Sequence, residues 1–185
     1  MVKAIVSFFL FILEILKIVV LALAIVIPIR YFLFQPFFVK GQSMEPNFEN
    51  GDYLIIDELS YRFSDPKRGD VVVFKYPYAP SQRYIKRIIG LPGEKIEVKN
   101  GSVIISSEDG SQVLDEKTYL SQGISTPGVA NILLNQNEYF VLGDNRSVSS
   151  DSRTWGTLPE ENIIGKVFFR AWPINALAKI EAPAY

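Results

Sequence analysis

The feature that most constrains this chain is an apolar segment near its amino terminus. Between Ala4 and Ile29 nearly every residue is apolar, the exceptions being Ser7, Glu14, Lys17 and Pro28. About 20 apolar residues span the hydrocarbon core of a bilayer, so this segment is long enough to form a transmembrane helix. Pro28 and the aromatic residues at 31–38 predict that the helix ends there, near a membrane interface.

Two other interpretations compete with a retained anchor over residues 1–34. A cleavable secretory signal has a shorter apolar stretch followed by small residues, whereas bulky aromatic residues and Pro36 follow this one. A buried core helix is disfavoured because the segment is terminal and apolar on all sides. We therefore predict a single membrane-spanning helix. Its orientation is left open by the charges, since Lys3 lies on one side and Arg30 and Lys40 on the other.

The composition restricts the chemistry that the remaining residues can perform. The 185-residue chain has no cysteine and no histidine. A Ser-His-Asp triad, a Cys-His pair and metal sites built on histidine or cysteine are therefore excluded. We predict no metal and no cofactor. The formal net charge of −1 gives no support for nucleic-acid binding, which usually appears as a basic excess.

Short apolar runs separated by turn residues predict a β-rich domain after the helix. The candidate strands lie at 52–57, 70–75, 83–89, 95–99, 102–106, 139–142 and 163–171. Asn100-Gly101 predicts a hairpin turn, because both residues accept positive φ angles. Residues 107–136 are polar and rich in glycine and serine, which indicates a small loop-rich insertion. We predict a mostly β, antiparallel barrel-like or sandwich-like domain over residues 35–185.

Two residues could together perform hydrolysis without histidine. Ser43 lies between Gly41 and Pro46, where a serine is most often an ordinary turn residue. In an extended strand Lys86 shares a face with Tyr84 and Ile88, and burial between them lowers the pKa of a lysine. A neutral Lys86 could then accept the proton of Ser43. Strand alternation permits this chemistry but does not prove it, since most lysines in strands are solvated.

Three blocks resemble bacterial type I signal peptidases, and they occur in the order of that family. Residues 30–46 (RYFLFQPFFVKGQSMEP) resemble the end of the anchor and the nucleophile motif. Residues 68–74 (RGDVVVF) and 84–94 (YIKRIIGLPGE) resemble the lysine block. Residues 143–156 (GDNRSVSSDSRTWG) are similar to the carboxy-terminal signature. The resemblance covers nearly the whole chain except the insertion, and three blocks in order are far more specific than one.

The resemblance implies roles for individual residues. Ser43 matches the nucleophile, Lys86 the general base, and Ser149 the serine that hydrogen-bonds and orients the lysine. The backbone N–H of Ser43 would supply one donor of the oxyanion hole. Some members add a hydroxyl two residues before the nucleophile, but here that residue is Gly41 and has no side-chain donor. Asn47 stands where the family more often has threonine.

Further residues match supporting positions around the dyad. Those that fit a structural ion pair and an adjacent turn are Asp151, Arg153, Gly143, Asp144 and Asn145. Those that match the walls of two shallow substrate pockets are Phe37, Val39, Met44, Tyr84 and Ile85. For Phe37 an ordinary core position is about equally plausible.

The resemblance also implies a substrate and a location. The substrates would be preproteins with small residues one and three positions before the scissile bond, as in Ala-x-Ala sites. The catalytic domain would lie on the extracytoplasmic face of the bacterial cytoplasmic membrane, held against the lipid bilayer by one helix. Two alternatives remain: a Ser/Lys autoprotease similar to repressor-type peptidases, and a non-enzymatic, membrane-tethered β domain.

Overall fold

An isolated apolar helix opens the computed structural model, which describes residues 2–32, 34–108, 110–121 and 123–183. Helix α1 spans Val2–Phe32. The stretch Val6–Val26 is long and apolar enough to cross a membrane, and none of it is buried against the rest of the protein. Helix α1 ends at Phe32, within the aromatic stretch 31–38 where its end was expected, and it continues past Pro28. Transmembrane helices tolerate proline where other groups satisfy the freed backbone carbonyl.

Nearly all the remaining regular structure in the described ranges is strand. The strands are β1 Phe34–Phe38, β2 Tyr53–Asp57, β3 Val71–Tyr76, β4 Ala79–Gly90, β5 Lys95–Lys99, β6 Ser102–Ser107, β7 Gly110–Val113, β8 Ala130–Leu133, β9 Glu138–Leu142, β10 Leu158–Pro159, β11 Ile163–Trp172 and β12 Ala178–Lys179. Helix α2 spans only Ser152–Trp155, and three short 3-10 turns lie at Ser60–Arg62, Glu160–Asn162 and Ile174–Ala176. The predicted mostly β, antiparallel class is confirmed.

The larger sheet has the strand order β1-β2-β11-β3-β4-β9-β10, with β12 paired to β11. Its core lies on both faces, which is clearest in β3. Val71 and Val73 pack into a cluster with Met44 and Ile85. Val72 and Phe74 point the other way, into a second cluster around Trp155 and Ile88. Because side chains alternate across a strand, a sheet covered on both faces needs the continuous apolar run found here.

The smaller sheet has the order β7-β6-β5-β8 and its own apolar cluster. Its central hairpin joins β5 to β6 through Asn100 and Gly101, whose φ angles are +52° and +80°. The hairpin predicted from that dipeptide is therefore confirmed. Residues 107–136 were expected to be loop-rich, and the described part of this range also contains strands β7 and β8. These strands extend the β5–β6 hairpin on both sides.

Candidate active site

The turn from Gly41 to Phe48 presents Ser43 at the edge of the larger sheet. Met44 and Phe48 are buried and fix the turn to the core. Gly41 has a φ of +96°, a conformation that glycine adopts without strain. The carbonyl of Ser43 accepts a hydrogen bond from the backbone N–H of Asn145 at 3.0 Å. The backbone on both sides of Ser43 is thus held while its side chain remains half-buried at the surface.

Lys86 lies beside Ser43, at a distance suited to proton transfer. The Nζ atom of Lys86 is 2.7 Å from the Oγ atom of Ser43 and donates a second hydrogen bond to the carbonyl of Ile85 at 2.8 Å. The predicted face is the one observed, since β4 turns Tyr84 and Ile88 to the side that packs on Trp155. The ring of Tyr84 lies 5.5 Å from Nζ.

Burial changes the acid–base behaviour of Lys86. Only 4% of the residue is exposed. Loss of hydration disfavours the ammonium and lowers the pKa of Lys86 from 10.5 to about 8, although Asp151 and Asp144 act in the opposite direction. With this pKa about a tenth of the Lys86 side chains are neutral at pH 7, and most are neutral above pH 9. A neutral amine in contact with a hydroxyl is a competent general base.

Two carboxylates near the dyad, Asp144 in the turn 143–146 and Asp151 farther along the chain, are each paired with an arginine. Asp144 is fully buried and receives two hydrogen bonds from Arg87, at 2.8 and 2.6 Å. Asp151 receives two from Arg153, both at 2.8 Å, and a third from the backbone N–H of Gly143 at 3.1 Å. Each carboxylate therefore has a cationic partner other than Lys86.

The closest packing of the site is at Gly143. A β-carbon there would overlap the Oγ atom of Ser149 and the carbonyl oxygen of Ser43. Glycine is therefore required at this position by space rather than by its φ angle. This contact brings three of the predicted residues into one small volume.

Ser149 lies next to the dyad but is not hydrogen-bonded to it. Within the described residues its Oγ atom is buried and has no hydrogen-bond partner. The predicted bond from Ser149 to Lys86 is therefore not formed in this structure, where Lys86 Nζ contacts Ser43 and the Ile85 carbonyl instead. The role of Ser149 as the residue that orients the lysine stays a prediction.

A groove of about 570 Å³ leads to Ser43 and Lys86. Three of the predicted pocket residues, Phe37, Tyr84 and Ile85, line it. Val39 and Met44 do not appear in its lining; each is 1% exposed and packs in the core cluster that includes Ile85. The structure gives these two residues a packing position, and their contact with substrate stays a prediction.

Several residues that shape the site carried no usable signal in the sequence. The additional groove residues are Phe38, Lys40, Gln42, Gln82, Arg83, Val148 and Ser150. Arg146 is buried and forms a two-bond ion pair with Glu116 at 2.6 and 2.8 Å. That pair joins the turn 143–146, which we call the signature turn, to the insertion. Glu116 and Arg146 are 30 residues apart in the sequence, so no local pattern reveals their contact. Asn47, recognised only as a departure from threonine, binds Asp144 at 2.9 Å.

Comparisons with known proteins show which family the chain resembles. The family model described as "Signal peptidase, peptidase S26" matches residues 12–172. A probable signal peptidase I-1 of Synechocystis sp. is 37% identical over 172 residues, covering 89% of this chain and 85% of that protein. A signal peptidase I of Leptolyngbya laminosa is 36% identical over 175 residues, covering 91% and 83%.

More distant relatives match as well. Signal peptidase IB of Staphylococcus aureus is 31% identical over 169 residues, covering 85% of this chain and 87% of that protein. A crystal structure of a signal peptidase I from Enterococcus faecalis is 29% identical and covers 56% of this chain and 97% of the other, with a TM-score of 0.46.

The burial of Lys86 predicts a stability cost that depends on pH. The unfolded chain binds a proton on this lysine up to about pH 10.5, whereas the folded chain releases it near pH 8. The cost of burial is therefore greatest below pH 8 and disappears as the pH rises to 10.5. Replacing Lys86 with methionine, which has a similar volume, removes this term. As the pH is lowered from 10.5 to below 8, we expect the free energy of unfolding of Lys86→Met to rise by about 3 kcal/mol relative to that of the parent.

The measurement is urea unfolding of both proteins in detergent between pH 7 and 10.5, followed by tryptophan fluorescence. Subtracting the two curves cancels all other titrating groups. Lys99→Met is the matched control, because the Lys99 side chain is 59% exposed. It should show no such pH-dependent difference. A difference for Lys86→Met that stays constant across the interval would contradict the depressed pKa.

Proposed function

The chain belongs to the signal peptidase family, peptidase S26, and we propose that it is a membrane-bound endopeptidase that uses Ser43 and Lys86 to remove signal peptides. The family places it among the serine peptidases, which are hydrolases, and supports preprotein signal peptides as its substrates. The observation that carries the proposal is the 2.7 Å contact between the hydroxyl of Ser43 and the buried amine of Lys86.

The reaction follows from that contact. Neutral Lys86 accepts the hydroxyl proton while Oγ of Ser43 attacks the carbonyl carbon of the scissile bond. The resulting ammonium then donates its proton to the leaving amine, and the peptide bond breaks to give an acyl-enzyme. Water attacks the ester with Lys86 again as base, releasing the signal peptide and restoring the hydroxyl of Ser43.

Two features of the site support stabilisation of the intermediate. The backbone N–H of Ser43 belongs to a turn that is held by Asn145 and can donate to the developing oxyanion. The backbone N–H of Gly41 is not free to act as a second donor, because it already donates a hydrogen bond to Oδ1 of Asn50 at 3.0 Å. Ser149 has a buried hydroxyl with unused hydrogen-bonding capacity beside Gly143. We assign Ser149 to the ammonium formed during the reaction, because an unpaired buried hydroxyl otherwise costs stability.

The groove suits an extended peptide. Strand β1 pairs only with β2 among the described strands, and β4 pairs with β9 only from Arg87 onward. Both strands therefore offer unpaired backbone groups where they line the groove, which supports binding by strand addition. Phe37 and Ile85 contribute apolar side chains to the groove walls, which supports binding of small apolar residues at alternate substrate positions.

Helix α1 supports attachment to the membrane. Its apolar side chains are exposed over Val6–Val26, and a bilayer is the environment in which such a surface is stable. The helix leads directly into β1, so the groove is tied to the membrane surface. We place the peptidase domain on the extracytoplasmic side of the cytoplasmic membrane, where the cleavage site of a translocated preprotein emerges.

Loss of either member of the dyad should abolish processing without unfolding the protein. We expect Ser43→Ala to be inactive because it lacks the nucleophile. We expect the cleavage rate of Lys86→Ala to fall by roughly 10²–10⁴-fold or more, the contribution of a general base. The assay is cleavage of a preprotein with an Ala-x-Ala site by the full-length protein in detergent. Lys99→Ala, an exposed lysine outside the groove, is the control and should retain parental activity. Processing by Ser43→Ala at the parental rate would disprove the proposal.

The rate should rise with pH as Lys86 loses its proton. With a pKa of about 8, the acylation rate at saturating substrate should increase about tenfold from pH 7 to a plateau above pH 9. The pH–rate profile of the parent checks this, with circular dichroism recorded at each pH to show that the fold is retained. A rate that does not change between pH 7 and 9 would count against a lysine base.

A further inference from the structure

One short segment of the insertion makes several contacts with the active site, in addition to the bonds of Thr126 with Arg146 and of Pro127 with Arg153. Residues 116–119, which we call the clamp segment, lie between β7 and β8 and outside the larger sheet. We propose that the clamp segment positions the two turns that form the active site, the nucleophile turn at 41–48 and the signature turn at 143–146. Asn47 links the clamp segment to the nucleophile turn. This inference rests on the proposed function and assigns a catalytic purpose to the insertion.

The first contact holds the signature turn from outside. Glu116 forms the ion pair with Arg146, whose side chain is fully buried. The Nε atom of Arg146 donates to the carbonyl of Gly143 at 3.0 Å. Gly143 is the residue against which Ser149 and the carbonyl of Ser43 pack. Glu116 therefore fixes the side chain of Arg146, and Arg146 in turn holds Gly143, the tightly packed residue of the site.

The second contact covers the ion pair beside Lys86. The guanidinium of Arg87 lies 4.2 Å from the centre of the Tyr119 ring, and Arg87 binds Asp144. The hydroxyl of Tyr119 donates to Glu116 at 2.7 Å. The two ends of the clamp segment are thus bonded to each other, so they move as one unit. A cation over an aromatic face gains energy when water is excluded, which favours this closed arrangement.

The third contact reaches the nucleophile turn itself. The side-chain amide of Asn47 donates one hydrogen bond to the carbonyl of Tyr119 at 2.7 Å and another to Asp144 at 2.9 Å. Both amide hydrogens are used, and they connect the nucleophile turn to the clamp segment and to the signature turn. A threonine hydroxyl has one donor and could make only one of these bonds.

The three contacts join the clamp segment to both turns that hold Ser43. Ser43 lies four residues before Asn47, and its carbonyl is bound to Asn145 of the signature turn. A displacement of either turn would change the distance between Ser43 and Lys86. Since a shift of about 1 Å in a reacting group can cost about 10²-fold in rate, the clamp segment can affect catalysis without touching substrate.

The decisive variant is Asn47→Ala in the full-length protein. The backbone carbonyl of Asn47 accepts a hydrogen bond from Arg170, so the turn keeps one attachment when the side chain is removed. We expect the turnover rate per folded molecule on an Ala-x-Ala peptide to fall roughly 10- to 100-fold, with KM changed less than about twofold. Asn47→Thr, which keeps one donor, should recover part of the lost turnover. If Asn47 only stabilised the fold, Asn47→Ala would lower the melting temperature while the turnover rate per folded molecule stayed at the parental value.

Lys117→Ala is the matched control within the clamp segment. Its side chain is 76% exposed and pairs only with Asp115 among the described residues, so it should retain parental turnover. Glu116→Gln should lower turnover as Asn47→Ala does, and the double variant should lose less than the two effects combined, because both act through the same turns.

The outcomes separate this inference from the proposed function. If Asn47→Ala has parental turnover and Ser43→Ala is inactive, the proposed role of the clamp segment is wrong and the proposed catalytic dyad still holds. Fully additive losses in the double variant also contradict a shared mechanism. Cleavage by Ser43→Ala would instead remove the proposed function itself.

Discussion

The burial of one amine is the constraint on which the rest of the structure depends. Lys86 stands on a strand between two apolar clusters and contacts Ser43 at 2.7 Å. A lysine on the surface would keep its proton near neutral pH and could not accept one from a serine. The larger sheet therefore needs apolar packing on both faces at the point where strand β4 carries this residue. The price of that arrangement is stability, because burying a basic group is unfavourable.

The charges around Lys86 are arranged so that they do not reverse the effect of burial. The negative charges of Asp144 and Asp151 both favour the ammonium form of Lys86 and so act to raise its pKa. Each is also bonded to its own arginine, Arg87 and Arg153. The same pairs hold the signature turn in the position where its backbone supports Ser43. Electrostatic control of the base and geometric control of the nucleophile are thus performed by the same side chains.

The sequence predicted features that depend on local pattern. The apolar helix, the hairpin at Asn100-Gly101 and the part of β4 at residues 83–89 were all visible because periodicity and turn chemistry are local. The face of Lys86 also followed from strand alternation. The end of the helix near the aromatic residues 31–38 was predicted as well, although Pro28 itself does not end it. Val39 and Met44 matched pocket positions, but their burial is set by strands distant in sequence. The Glu116–Arg146 pair was invisible for the same reason.

The most direct test of this account is the titration of Lys86 itself. Full-length protein with ¹⁵N-labelled lysine side chains, assigned with Lys86→Met, can be followed by NMR from pH 6 to 11. The account predicts that the ε-amine of Lys86 titrates with a pKa of about 8, well below the value of 10.5 expected for a solvated lysine. A Lys86 signal that titrates near 10.5 would contradict it, because the amine would then be protonated at the pH where it must act as a base.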